Sequence, residues 1–152
     1  MTMEIEDFKK QAKKILVEHG YHAPMIFINR GYDIVPFLLK WANDEDKYRS
    51  IPLIKQVIKT CAVSYIFIMD ACMRKISVKN KDFFEQNYET EKPSLYTENM
   101  RTECLIVQER KRTGENKIYL IQYKKTPDGI EFLEEELLEN NEMKGALIDF
   151  YN

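Results

Sequence analysis

A chain of 152 residues is the size of one domain and long enough to bury a core without disulfide or metal staples. Its 44% hydrophobic and 12% aromatic content excludes a disordered chain. A formal net charge of −2 argues against general affinity for phosphates, so nucleic acid is not an expected partner.

The three cysteines, Cys61, Cys72 and Cys104, sit in or beside apolar runs with no C-x-x-C spacing. That pattern predicts reduced, buried thiols in a cytoplasmic protein. The acidic start, Glu4 to Asp7, does not read as a secretory signal, and no apolar run reaches the roughly 20 residues a membrane helix needs.

In chain order, Ile5, Phe8, Ala12, Ile15, Leu16 and His19 recur at helical spacing, with Lys9, Lys10, Lys13 and Lys14 expected on a solvated face. Gly20 suits the position just past the helix end. Met25 to Ile28 then reads as a short strand. Ile34 to Leu39 follows as another apolar run, and Pro36, which lacks a donor, makes it an edge strand or a bulged one if it pairs at all.

Asn43 to Arg49 reads as a loop or frayed helix start. Ser50 is the expected N-cap of a helix whose apolar face is Leu53, Ile54, Val57, Ile58 and Cys61. The uncharged run Ala62 to Met69 predicts a strand apolar on both faces, the central one of the sheet, ending at Asp70.

The polar stretch Ser77 to Arg101 is long for a loop in a compact domain, with a possible helical turn over Asp82 to Asn87. Cys104 to Val107 and Ile118 to Ile121 predict a hairpin with Glu109, Arg110 and Lys111 at its tip. Thr126-Pro127-Asp128-Gly129 predicts a tight turn into a third strand, Ile130 to Leu133. An acidic tail follows, and the apolar patch Ala146 to Tyr151 is expected to dock on the body. Residues 101–125 carry a net charge of +4 and residues 128–152 one of −7. Pairing between neighbouring strands accounts for that asymmetry better than a nucleic-acid surface does.

These elements predict a single α+β domain. Its sheet is mostly antiparallel, with about five or six strands, two main helices packed on one face and a C-terminal meander.

No glycine-rich phosphate loop, nucleophile elbow, H-E-x-x-H or EF-hand loop occurs, and no cofactor is expected. Two weaker constellations remain. His19 and His22, with Asp70 or Cys72, contain the ligand types of a zinc site. Asp70 with Glu109-Arg110-Lys111 resembles the Asp…Glu-x-Lys arrangement of restriction-type nucleases, in which two carboxylates bind a divalent metal and the lysine helps activate water. Glu103 is a second candidate carboxylate for that arrangement. In each case the competing expectation is structural: a helix-end imidazole, or a solvated hairpin tip.

The stretches GYHAPMIFI, AVSYIFIMDACMRK and RTECLIVQER together resemble small uncharacterised bacterial and archaeal α+β proteins, over Gly20 to Tyr123. The resemblance implies a fold and brings no activity with it. The functional expectation is therefore a non-enzymatic module that binds a protein partner or small ligand, with the metal-dependent hydrolase as the alternative. The open sheet edge and the aromatics of residues 77–101 add the expectation of a homodimer.

Overall fold

The computed structural model describes residues 4–39, 44–74, 101–139 and 149–151. It shows two helices and six strands: α1 (Ile5–His19), β1 (Met25–Asn29), β2 (Ile34–Leu38), α2 (Asp44–Cys61), β3 (Ser64–Arg74), β4 (Arg101–Lys111), β5 (Asn116–Thr126) and β6 (Gly129–Glu139). The strands form one antiparallel sheet in the order β2-β1-β3-β4-β5-β6. This is the expected α+β fold, with the uncharged run as an interior strand and the meander running from β3 to β6. The possible turn over Asp82 to Asn87 and the aromatics of the 77–101 stretch lie outside the described residues.

α1 ends as its sequence indicates. Gly20 takes a left-handed conformation (φ +80°), and its N–H bonds the Leu16 carbonyl at 2.8 Å. Pro36 sits on the edge strand β2, paired with Phe27 of β1, where its missing donor costs least. The turn after Thr126 brings Gly129 back into register with Thr126, at a positive φ (+133°) that suits glycine.

The helices do not share a face. Side chains alternate along β3, so Ile66 and Ile68 point one way and Tyr65 and Phe67 the other. Ala12 and Leu16 of α1 pack on the first set, together with Leu105, Val107 and Ile121. Ile58 of α2 and the adjoining Ala62 pack on the second, with Ile26 and Ile28. A strand apolar on both faces needs cover on both, so one helix goes to each side.

Four further expectations are corrected. Helix α2 starts at Asp44, so Ser50 lies inside it and its hydroxyl bonds the Lys47 carbonyl at 2.9 Å. Glu45 and Asp46 stand in the first turn, where the dipole favours negative charge. Strand β3 continues to Arg74, so Asp70 is interior to it. Strand β6 runs on through the acidic stretch to Glu139, where Glu135 meets Lys9 of α1 at 2.9 Å and Glu139 stands opposite Lys117 of β5.

The last correction concerns Lys9, which is buried rather than solvated. Its ammonium bonds Glu6 at 3.0 Å and Glu135 of β6 at 2.9 Å, and lies 4.2 Å from the centre of the Tyr119 ring. Strand β6 brings a carboxylate beneath the helix, and the lysine stem fills the space between them. Among the described residues, no helix is long and apolar enough to cross a membrane.

Candidate functional site

His22 and Asp70 come near enough for their charges to interact, but His19 does not join them. His19 is exposed at the end of α1, whereas His22 is buried, its Nδ1 bonded to the Ala23 carbonyl at 2.7 Å. Burial holds the His22 imidazole below its usual pKa; the Ala23 carbonyl and the Asp70 charge pull the other way.

Asp70 and Glu109 share a sheet face, but Asp70 stands opposite Leu105 and Glu109 opposite Ile66. Four residues of strand separate them, about 13 Å. Oxygen ligands must lie within roughly 2.6 Å of a common ion, so this register does not bring them to one metal. Glu109 is within β4 rather than at the hairpin tip, and Lys111 pairs with Glu115 at 2.9 Å. Glu103, opposite Cys72, is the carboxylate nearer to Asp70 in register. The Asp70 carboxylate itself accepts a hydrogen bond from the Tyr123 hydroxyl at 2.5 Å. Among the described residues, no group of three or more His, Cys, Asp or Glu side chains is placed to hold a metal ion.

Cysteine chemistry is equally quiet. Cys61 and Cys104 are free thiols, and burial pushes Cys104 up to about 12, far from the thiolate a nucleophile needs. The side chain of Cys72 lies outside the described residues.

What the structure offers instead is an apolar groove of about 270 Å³ between α2 and the edge strand β2. Ile28, Leu39 and Ile54 lie deepest. Phe37 and Leu38 line it from the strand, and Leu53 and Val57 from the helix. Those four remain 42%, 52%, 67% and 39% exposed respectively, an unusual degree for large apolar side chains grouped on one surface. Asp46 and Ser50 complete the lining from the first half of α2.

The apolar stripe of α2 explains why the groove exists. Its contact with the sheet is made by Ile58, with Ile51 and Ile54 packed alongside. Leu53 and Val57, one turn apart, stand on the outer shoulder and face the strand edge. From sequence spacing these two looked like core. The readable signal was the width of the stripe, five apolar positions where the packed contact uses fewer.

An α+β fold with an open antiparallel sheet, a groove at one edge and, among the described residues, no cluster of His, Cys, Asp or Glu fit for a metal defines a scaffold with an exposed apolar surface. No family model matches the chain, and no curated protein or solved structure is significantly similar to it.

Proposed function

We propose that the protein is a non-catalytic binding module that seats an apolar, helical segment of a protein partner in the groove between α2 and β2. The observation that carries this reading is the juxtaposition of exposed Leu53 and Val57 with exposed Phe37 and Leu38. At about 270 Å³ and with open walls, the groove is smaller and less enclosing than pockets that bury small molecules, which run to roughly 300–1,000 Å³. A partner strand added to β2 would lose a main-chain bond at Pro36. A helix laying its apolar face into the groove needs no such bond. The free thiols of Cys61 and Cys104 suit a reducing compartment, the cytoplasm.

The test is selection from a displayed library of helix-forming peptides against the parent chain and a Leu53→Lys/Val57→Lys variant. Both changes are at exposed positions, so the melting temperature should hold within a few degrees. The parent should enrich peptides with apolar residues at i and i+3 or i+4, and the variant should lose them. Failure to enrich any peptide, or enrichment that survives the double change, overturns the reading. Light scattering that finds the parent at twice 18.2 kDa and the variant at 18.2 kDa would make the occupant a second copy, and so overturn the choice of partner.

A further inference from the structure

On the α2 side of the sheet, residues 149–151 are held by side-chain chemistry. The three residues belong to no helix or strand. Phe150 is fully buried, its ring edge-on to Tyr65 and Phe67 at centroid distances of 5.5 and 5.9 Å. Its backbone N–H donates to the Tyr65 hydroxyl at 3.2 Å. The Asp149 carboxylate accepts from Arg110 Nη2 at 3.1 Å and from the Tyr151 N–H at 3.0 Å. The Tyr151 ring lies beneath the guanidinium groups of Arg110 and Arg112, 4.9 and 5.2 Å from its centre. Its hydroxyl donates to the Ala62 carbonyl at 3.1 Å.

Each side chain of the segment is therefore met by a matching group: the carboxylate by a guanidinium, the first ring by two aromatic rings, and the second ring by cations with its hydroxyl on a carbonyl; the Phe150 N–H is met by a phenol. Two features mark this as a built slot. Arg110 and Tyr65 are buried polar groups, placed opposite one another across β3 and β4, and a buried guanidinium or phenol is costly without a partner. The next buried pair in register on this face is Phe67 and Gln108. Gln108 Oε1 is inaccessible and without a hydrogen-bond partner, so an acceptor beside the slot is unspent.

We propose that this slot is a recognition site for short acidic–aromatic peptides of the form Asp-aromatic-aromatic, occupied here by the chain's own residues 149–151. A partner bearing that motif competes with the resident segment. The slot and the groove share the core of one sheet face, but the motif is read by Tyr65, Arg110, Arg112 and the Ala62 carbonyl, none of which lines the groove, and the proposal stands whether or not the groove binds a helix.

The probe is a fluorescein-labelled peptide copying residues 145–152, Gly-Ala-Leu-Ile-Asp-Phe-Tyr-Asn, followed by fluorescence anisotropy. In an Asp149→Asn/Tyr151→Phe variant the resident segment keeps its rings but loses its ion pair and its bond to Ala62. The labelled peptide should bind this variant saturably, and at least about tenfold more tightly than it binds the parent, the factor expected for one lost charge-assisted bond in the competitor. Replacing the peptide's Asp by Asn, or its Phe by Ala, should abolish binding. A Phe150→Ala/Tyr151→Ala variant should bind it more tightly still if it folds by circular dichroism. The milder variant decides the matter if it does not. No saturable binding to the folded Asp149→Asn/Tyr151→Phe variant, or binding insensitive to the peptide's Asp and Phe, makes the segment an ordinary part of the core and overturns the proposal.

Discussion

Tyr123 of β5 reaches across β4 to Asp70 of β3, its hydroxyl donating to the carboxylate at 2.5 Å. The bond ties two strands that share no backbone hydrogen bonds, and it gives an interior, half-buried carboxylate a partner. Tyr123→Phe should cost about 1.5–3 kcal/mol, the range for a hydrogen bond to a charged group. Asp70→Asn should also lower stability, because a neutral amide accepts less strongly. Mg²⁺ or Mn²⁺ titration by calorimetry should give no isotherm for the parent or for Asp70→Asn. A clear isotherm in the parent, lost on substitution, would reinstate a metal-dependent hydrolase.

Phe67 is buried between α2 and Phe150 on the inner face of β3. Phe67→Ala removes a ring packed among Ile26, Ile58 and Phe150, and the expected loss is about 3–5 kcal/mol. Chemical denaturation measures it directly. A midpoint close to the parent's would mean that the α2 face contributes little to the fold.

The buried His22 sets a pH dependence. Its pKa in the folded chain lies below the usual 6.5, mainly because burial penalises the imidazolium. Well above pH 6.5 the imidazole is neutral in both states, and its contribution to stability is complete. As pH falls below that value, the unfolded chain takes up a proton that the folded chain resists, and stability declines through the folded pKa. His22→Asn, which retains a donor for the Ala23 carbonyl, should flatten the decline between about pH 7 and pH 5. Equal slopes in parent and variant would assign the acid sensitivity to carboxylates alone.

The thiols should differ in reactivity. Cys104 is buried and its pKa is raised to about 12, whereas Cys61 is half-exposed on α2. In the native protein a thiol reagent at mildly alkaline pH should leave Cys104 unmodified and reach Cys61 first. Unfolding should release all three thiols, and the non-reducing intact mass should show no two-dalton deficit. Such a deficit would place the chain in an oxidising compartment.

Local signals in the sequence were strong wherever one residue decides a backbone geometry. Gly20 past α1, Pro36 on the edge strand and the turn from Thr126 to Gly129 each constrain conformation without help from distant residues. Long-range choices were not written so plainly. The uncharged run of β3 marked a strand buried on both faces, but the consequence, one helix on each side, follows only when the sheet is closed around it. Lys9 looked like part of a solvated lysine run because Glu135, its partner, lies 126 residues away. The groove was hidden for a related reason: Leu53 and Ile58 are equally apolar, and only packing leaves one outside. The docking of Phe150 was visible as an apolar patch. The Tyr65 hydroxyl that receives its N–H, 85 residues earlier, was not.

Arg112, at the β4–β5 turn, donates to the carbonyls of Ile58, Lys59 and Ala62 at 3.0, 2.9 and 2.8 Å, while its own N–H bonds the Val63 carbonyl at 3.0 Å. The last carbonyls of a helix are ordinarily left to water and fray on their own. Here a guanidinium from a hairpin some fifty residues downstream binds those of Ile58 and Lys59, and shares the Ala62 carbonyl with the Tyr151 hydroxyl. The end of α2 and the β4–β5 turn should therefore open together, and hydrogen exchange should show their amides with a shared protection rather than independent ones.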